Sequence, residues 1–89
     1  IVSADDVPRR KPAPDVYLEA LRRLGVDRGR SIAVEDSGPG IAAARAAGLT
    51  TVAIPHWLTE HHDLSGAHLR VSSASELNLD VLDALLAGT

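Results

Sequence analysis

The sequence contains no cysteine, no methionine and no phenylalanine, and one tryptophan and one tyrosine supply all its aromatic bulk. The absence of cysteine excludes disulfides, thiolate catalysis and cysteine-ligated zinc together. No stretch approaches the roughly 18 apolar residues of a membrane span. No basic segment precedes an apolar one in the manner of a secretory signal. No membrane partner is therefore expected, and the cytoplasm is the expected location. A basic excess is also missing. The net charge is −3, and Arg9-Arg10-Lys11 is the single short basic run, so no nucleic-acid partner is expected. The chain begins at Ile1 and not at methionine, which reads as a processed, trimmed or partial product.

What is present is ordinary in amount and unusual in kind. Hydrophobic residues make up 45% of the 89 and charged residues 24%, which argues for a globular chain. Fourteen of the apolar residues are alanine. A domain of this size buries only about 60–65% of its unfolded surface, so it depends on large side chains that are scarce here. The composition predicts a thin core that leans on something outside the sequence.

Residues 1–14 hold three of the five prolines, which predicts a strand end followed by an extended loop. From Asp15 the spacing of Tyr17, Leu18, Leu21 and Leu24 predicts a helix over 15–24, stopped by Gly25. Ser31-Ile32-Ala33-Val34 suits a buried parallel strand. Residues 35–40 read as a turn, and Ile41 to Ala47 as an alanine-rich helix stopped by Gly48. A second strand is predicted over Thr50 to Ile54. A polar loop with three of the four histidines follows, and then a short strand at Leu69-Arg70-Val71. Ser75 starts a turn, and Asn78 caps a last helix with Leu79, Leu82, Leu85 and Leu86 on one face. This alternation predicts an α/β fold with a parallel sheet.

Glu35 and Asp36 directly follow a predicted buried strand, where ligands of open α/β sheets bind. Adjacent carboxylates repel unless a cation lies between them, and hard oxygens suit Mg²⁺. The plain alternative is a solvated acid pair that caps the next helix. Lys11 is the sole lysine and sits in Arg10-Lys11-Pro12-Ala13-Pro14. A stiff extended segment can aim one ammonium at a phosphate or a carboxylate; the alternative is a surface charge. Gly38, Gly40 and Ala43 follow a strand and open a helix, as in a dinucleotide fingerprint, with Glu60 twenty residues past Gly40. That reading is disfavoured, because Glu35 and Asp36 would repel a pyrophosphate and Glu60 falls in a loop. His56, His61, His62 and His68 fit no zinc spacing and read as solvated loop residues. Trp57 reads as a rim contact or a core residue. Ser37 has no base at a recognisable position.

Two segments are specific in combination: Lys11-Pro12-Ala13-Pro14-Asp15-Val16-Tyr17-Leu18, and Ala33-Val34-Glu35-Asp36-Ser37-Gly38-Pro39-Gly40 running on to Gly48. Together they resemble the haloacid dehalogenase superfamily, in the branch of phosphoglycolate phosphatases and β-phosphoglucomutases. Leu64-Ser65-Gly66-Ala67-His68-Leu69 and Ser75-Glu76-Leu77 resemble the tail of that branch. The resemblance implies a three-layer Rossmann-like parallel sheet, with residues 1–89 forming the C-terminal part of its core. It implies Mg²⁺ as cofactor, a small phosphorylated metabolite as substrate and an aspartyl-phosphate intermediate. Lys11 matches the lysine that neutralises nucleophile and phosphate, and Glu35 and Asp36 match the acidic metal pair, Asp36 the more direct ligand. No Asp-x-Asp motif for the nucleophile occurs in the sequence, and no cap domain is present, so the chain alone is expected to be inactive. In the family's sheet order a strand before the Lys-Pro segment would lie beside strand 31–34. Its absence predicts an open edge there, to be filled by the missing N-terminal part, a second copy or another chain.

Overall fold

The structure, a computed structural model, describes residues 2–88. Its order is α1 (Asp15–Leu24), β1 (Ile32–Glu35), α2 (Gly38–Ala46), β2 (Thr50–Ala53), β3 (Leu69–Arg70) and α3 (Leu79–Ala87), with short 3₁₀ turns between. The three strands form one parallel sheet in the order β1-β2-β3. Ile32 faces Thr50 and Glu35 faces Ala53 in the β1–β2 register. This is the parallel α/β arrangement that the alternation of elements predicts. Among the described residues no helix is long and apolar enough to cross a membrane.

α1 has the predicted bounds. Gly25 closes it in the left-handed region at φ 65°, its N–H reaching the carbonyls of Leu21 and Arg22, a conformation that costs glycine nothing. Asp15 is the first residue of the helix; the N-cap is Pro14, without a side-chain cap. Of the four apolar positions, Tyr17 and Leu21 pack on the core, while Leu18 and Leu24 are exposed.

Other expectations need correction. The first fourteen residues carry no strand among those described; Ala4–Asp6 is instead a 3₁₀ turn capped by Ser3. β1 is shifted by one residue, because Ile54 N–H still bonds the Glu35 carbonyl at 2.8 Å and holds Glu35 in the ladder. α2 begins at Gly38 and not at Ile41. Ser37 is its N-cap, accepting from Gly40 N–H at 3.2 Å, and Pro39 fits the first turn because no partner awaits its missing N–H. β2 ends at Ala53 and β3 at Arg70, although Val71 N–H still reaches the Ala53 carbonyl at 2.9 Å. Asn78 caps α3 through Val81 N–H, but Leu79 is 77% exposed and Val81, not Leu79, lies half-buried.

The core is small and made largely of alanine. Ala33, Ala44, Ala47 and Leu49 form one cluster, covered by Tyr17 and Leu21. Ile41, Ala53 and Leu64 form a second, with Ala67 beside it. Alternation along β1 turns Ala33 and Glu35 inward and leaves Val34 half-exposed. β1 is an edge strand, and among the described residues no strand pairs with its outer side.

Candidate active site

Glu35 ends β1 with its side chain only 8% exposed. Burial of a carboxylate is costly unless it is paired and bonded. Here Lys11 Nζ lies 2.7 Å from Oε2, and the Tyr17 hydroxyl donates to the same oxygen. The Lys11 ammonium also stands 5.4 Å from the centre of the Tyr17 ring, within cation–π range. The other oxygen, Oε1, rests against Gly40. A Cβ on Gly40 would lie 1.9 Å from it, so any larger residue at this point of α2 would have to displace the carboxylate. Burial and the Glu35 carboxylate together push the Tyr17 hydroxyl far above its ordinary pKa, burial contributing most.

Asp36, the next residue, is more open. Its side chain is 55% exposed, and His56 Nε2 lies 3.2 Å from Oδ2. His56 Nδ1 accepts from Leu58 N–H at 3.1 Å, which leaves the neutral ring's proton on Nε2, facing Asp36. Thr59, buried, pins the same turn through its bond from His56 N–H at 3.1 Å.

The sequence-predicted residues are thus brought to the C-terminal end of β1, but not as one cluster. Lys11 meets Glu35, while Asp36, the next residue and already beyond the ladder, has His56 as its partner. Among the described residues no group of three or more His, Asp or Glu side chains is placed to hold a metal ion. The donors present fit Mg²⁺ in part. Asp36 offers an exposed hard oxygen, and Mg²⁺ takes only one or two carboxylates from a protein. Glu35 is already neutralised by Lys11.

Three histidines are exposed, as the solvated-loop reading expects, and each also has a polar partner. His56 bonds Asp36, His62 Nδ1 accepts from Gly38 N–H at 3.0 Å, and His68 Nδ1 accepts from Thr51 N–H at 3.0 Å. Trp57 is 76% exposed and so is no core residue. The glycine turn serves Glu35 and the start of α2. The sequence places Tyr17 only on a hydrophobic face and gives its hydroxyl no role; a lone tyrosine on an otherwise aliphatic helix face is the available signal.

The lysine–glutamate pair and the exposed aspartate lie at the strand end where ligands of open α/β sheets bind, and comparison with known proteins specifies the class. A model of the haloacid dehalogenase-like hydrolases matches residues 1–54. The chain belongs to this family. Protein CbbY of Rhodobacter capsulatus is 47% identical over 75 residues, covering 84% of this chain and 33% of that protein. The bifunctional riboflavin kinase/FMN phosphatase of Arabidopsis thaliana is 36% identical over 80 residues, covering 90% of this chain and 21% of that protein. The crystal structure of CbbY from Rhodobacter sphaeroides in complex with phosphate superposes with a TM-score of 0.88 at 42% identity, covering 93% of this chain and 37% of that one. The chain spans about a third or less of the length of these curated relatives.

Proposed function

We propose that these residues form the lysine and metal-binding half of a Mg²⁺-dependent phosphohydrolase acting on a small phosphomonoester through an aspartyl-phosphate. The observation that carries this reading is the Lys11 ammonium held 2.7 Å from a buried carboxylate at a strand end, beside the exposed Asp36. Phosphoryl transfer asks the protein chiefly for positioned positive charge against the equatorial oxygens. Lys11, 39% exposed at its side chain, is anchored yet reachable by a phosphate. Glu35 and Tyr17 orient it. Asp36 would hold Mg²⁺, with Glu35 as the neighbouring acid, and His56 orients Asp36. The ion would add charge neutralisation at the phosphoryl group. The nucleophilic aspartate is supplied from outside these 89 residues, and the isolated chain is inactive. The relatives support the substrate class: one crystal structure of Rhodobacter sphaeroides CbbY holds phosphate and another holds xylulose-(1,5)bisphosphate.

The test is a chimera in which residues 2–88 replace the matching stretch of Rhodobacter sphaeroides CbbY. Mg²⁺-dependent hydrolysis of a small phosphomonoester is expected, with kcat falling about a hundredfold or more in Lys11→Ala. A Lys11→Ala chimera with undiminished kcat would overturn the assignment, as would hydrolysis by the 89-residue chain alone. A second reading, favoured by the outer side of β1, which no strand among the described residues pairs, is a non-catalytic half-domain that assembles with another chain or a second copy. It predicts an inactive chimera and a stable oligomer of the chain.

A further inference from the structure

We propose that the N-terminal ends of the strands carry a second anion site, built by Arg28, Arg45 and His68 for the phosphate group of a small phosphorylated compound. Arg28 lies just before β1, Gly48 just before β2 and His68 just before β3. In a parallel sheet these positions share one end, opposite to Lys11 and Asp36. They line a cavity of about 440 Å³ in whose wall there is no acidic side chain. Among the described residues neither Arg28 nor Arg45 forms an ion pair with a carboxylate.

Two of the three exposed side chains have a hydrogen-bonded partner, and the third lies over a glycine. The Arg28 side chain lies across Gly48, where an added Cβ would come within 3.1 Å of its Cδ and 3.2 Å of its Nη1. Arg45 Nη1 donates to the Gly66 carbonyl, which engages one of five guanidinium donors. His68 accepts from Thr51 N–H through Nδ1, which leaves the neutral ring's proton on Nε2 as a donor. The C-terminal turn of α2 adds about half a negative charge here, less than the two guanidinium charges beside it. The balance is positive, and forked guanidinium donors match phosphate geometry. The volume lies within the range of small-molecule pockets and exceeds that of a bare phosphate. Leu49 and Leu86 supply an apolar wall for an organic portion.

The test is a titration of the full chain, followed by ¹H–¹⁵N correlation spectra, with inorganic phosphate and separately with glycerol 3-phosphate. The amides of Gly48, Thr51 and His68 are expected to move together and saturate. Arg28→Gln and Arg45→Gln should each weaken this binding about tenfold, and Lys11→Ala should leave it unchanged. Tighter binding of glycerol 3-phosphate would identify a phosphorylated metabolite as the ligand; equal binding would identify phosphate itself. Shifts confined to Gly38, Gly40 and Asp36 would overturn the proposal and leave the reading of the Lys11 site intact. Potassium chloride at matched ionic strength should not reproduce the shifts; if it did, the second site would be refuted equally. Should a variant fail to fold, the pattern of moving amides in the unmodified chain still decides.

Discussion

Glu35 carries the connections of the candidate site. Its carboxylate receives Lys11 from the loop before α1 and Tyr17 from α1 itself, and it rests on Gly40 in α2. Three segments separated in the chain therefore converge on one buried side chain. The contact with Gly40 has a direct cost. In Gly40→Ala the new methyl must displace a carboxylate that two donors hold in place. The expected loss is about 1–3 kcal/mol of stability, the usual range for overpacking, measured by urea unfolding followed by circular dichroism. An unchanged unfolding midpoint would mean that Glu35 has room to move. Lys11, Glu35 and Asp36 are singled out in the sequence by the family resemblance, and the structure brings Lys11 onto Glu35. Tyr17 and His56 are not legible there as site residues. Their partners lie 18 and 20 positions away, and only tertiary folding sets those pairings.

At the scale of elements, the helices show which local signals suffice. The bounds of α1 follow from an apolar repeat and a glycine able to adopt φ 65°. The start of α2 is harder to read because glycine and proline suggest a turn, although serine followed by an early proline is itself a helix-start signature. The apolar face expected of α3 fails at Leu79, since a first-turn residue can project past the core that the rest of the helix meets. α1 also contributes acid sensitivity, as do Asp6 and Asp63, whose carboxyl pKa values are lowered chiefly by hydrogen bonds from Ser3 and Ser65. Arg22, and after it Arg23, hold the Glu19 carboxyl at about 2, below its ordinary value near 4.5. A lowered folded-state pKa gives stability that is present above the unfolded value and is lost as pH falls toward the folded one. Stability is therefore expected to decline between about pH 4.5 and pH 2. Glu19→Gln should flatten that part of the profile in acid titrations followed by circular dichroism. An identical acid limb in the variant would assign the decline to other groups.

For the whole molecule, the deciding feature is the outer side of β1. The composition predicts a core that needs help, and the open edge shows where help would attach. Val34 is half-exposed on that strand, beside backbone groups that no described strand pairs. Edges of this kind recruit further strands unless charge or distortion blocks them. The chain on its own is expected to self-associate as its concentration rises, and Val34→Lys should suppress the association in static light scattering. A monomer at all concentrations in the unmodified chain would show that the edge is protected in another way. In the CbbY chimera the same substitution should lower the yield of folded protein, because there the edge must pair. The parallel sheet is legible from the alternation of elements, and the edge position of β1 from family resemblance. The thinness of the sheet's support is legible only from composition, as a shortage of large side chains.

Tyr17 and Trp57 are the chain's only two intrinsic chromophores, and they occupy opposite situations. The indole stands 76% exposed in the loop after β2, while the phenol is half-buried with its hydroxyl on Glu35. Tryptophan emission would therefore sit near its fully hydrated wavelength in the native state and move little on unfolding. An investigator who followed it alone would take a well-ordered domain for one already unfolded. The near-ultraviolet signal of the tyrosine, tied to the one carboxylate where three segments meet, is the optical probe that distinguishes the two states.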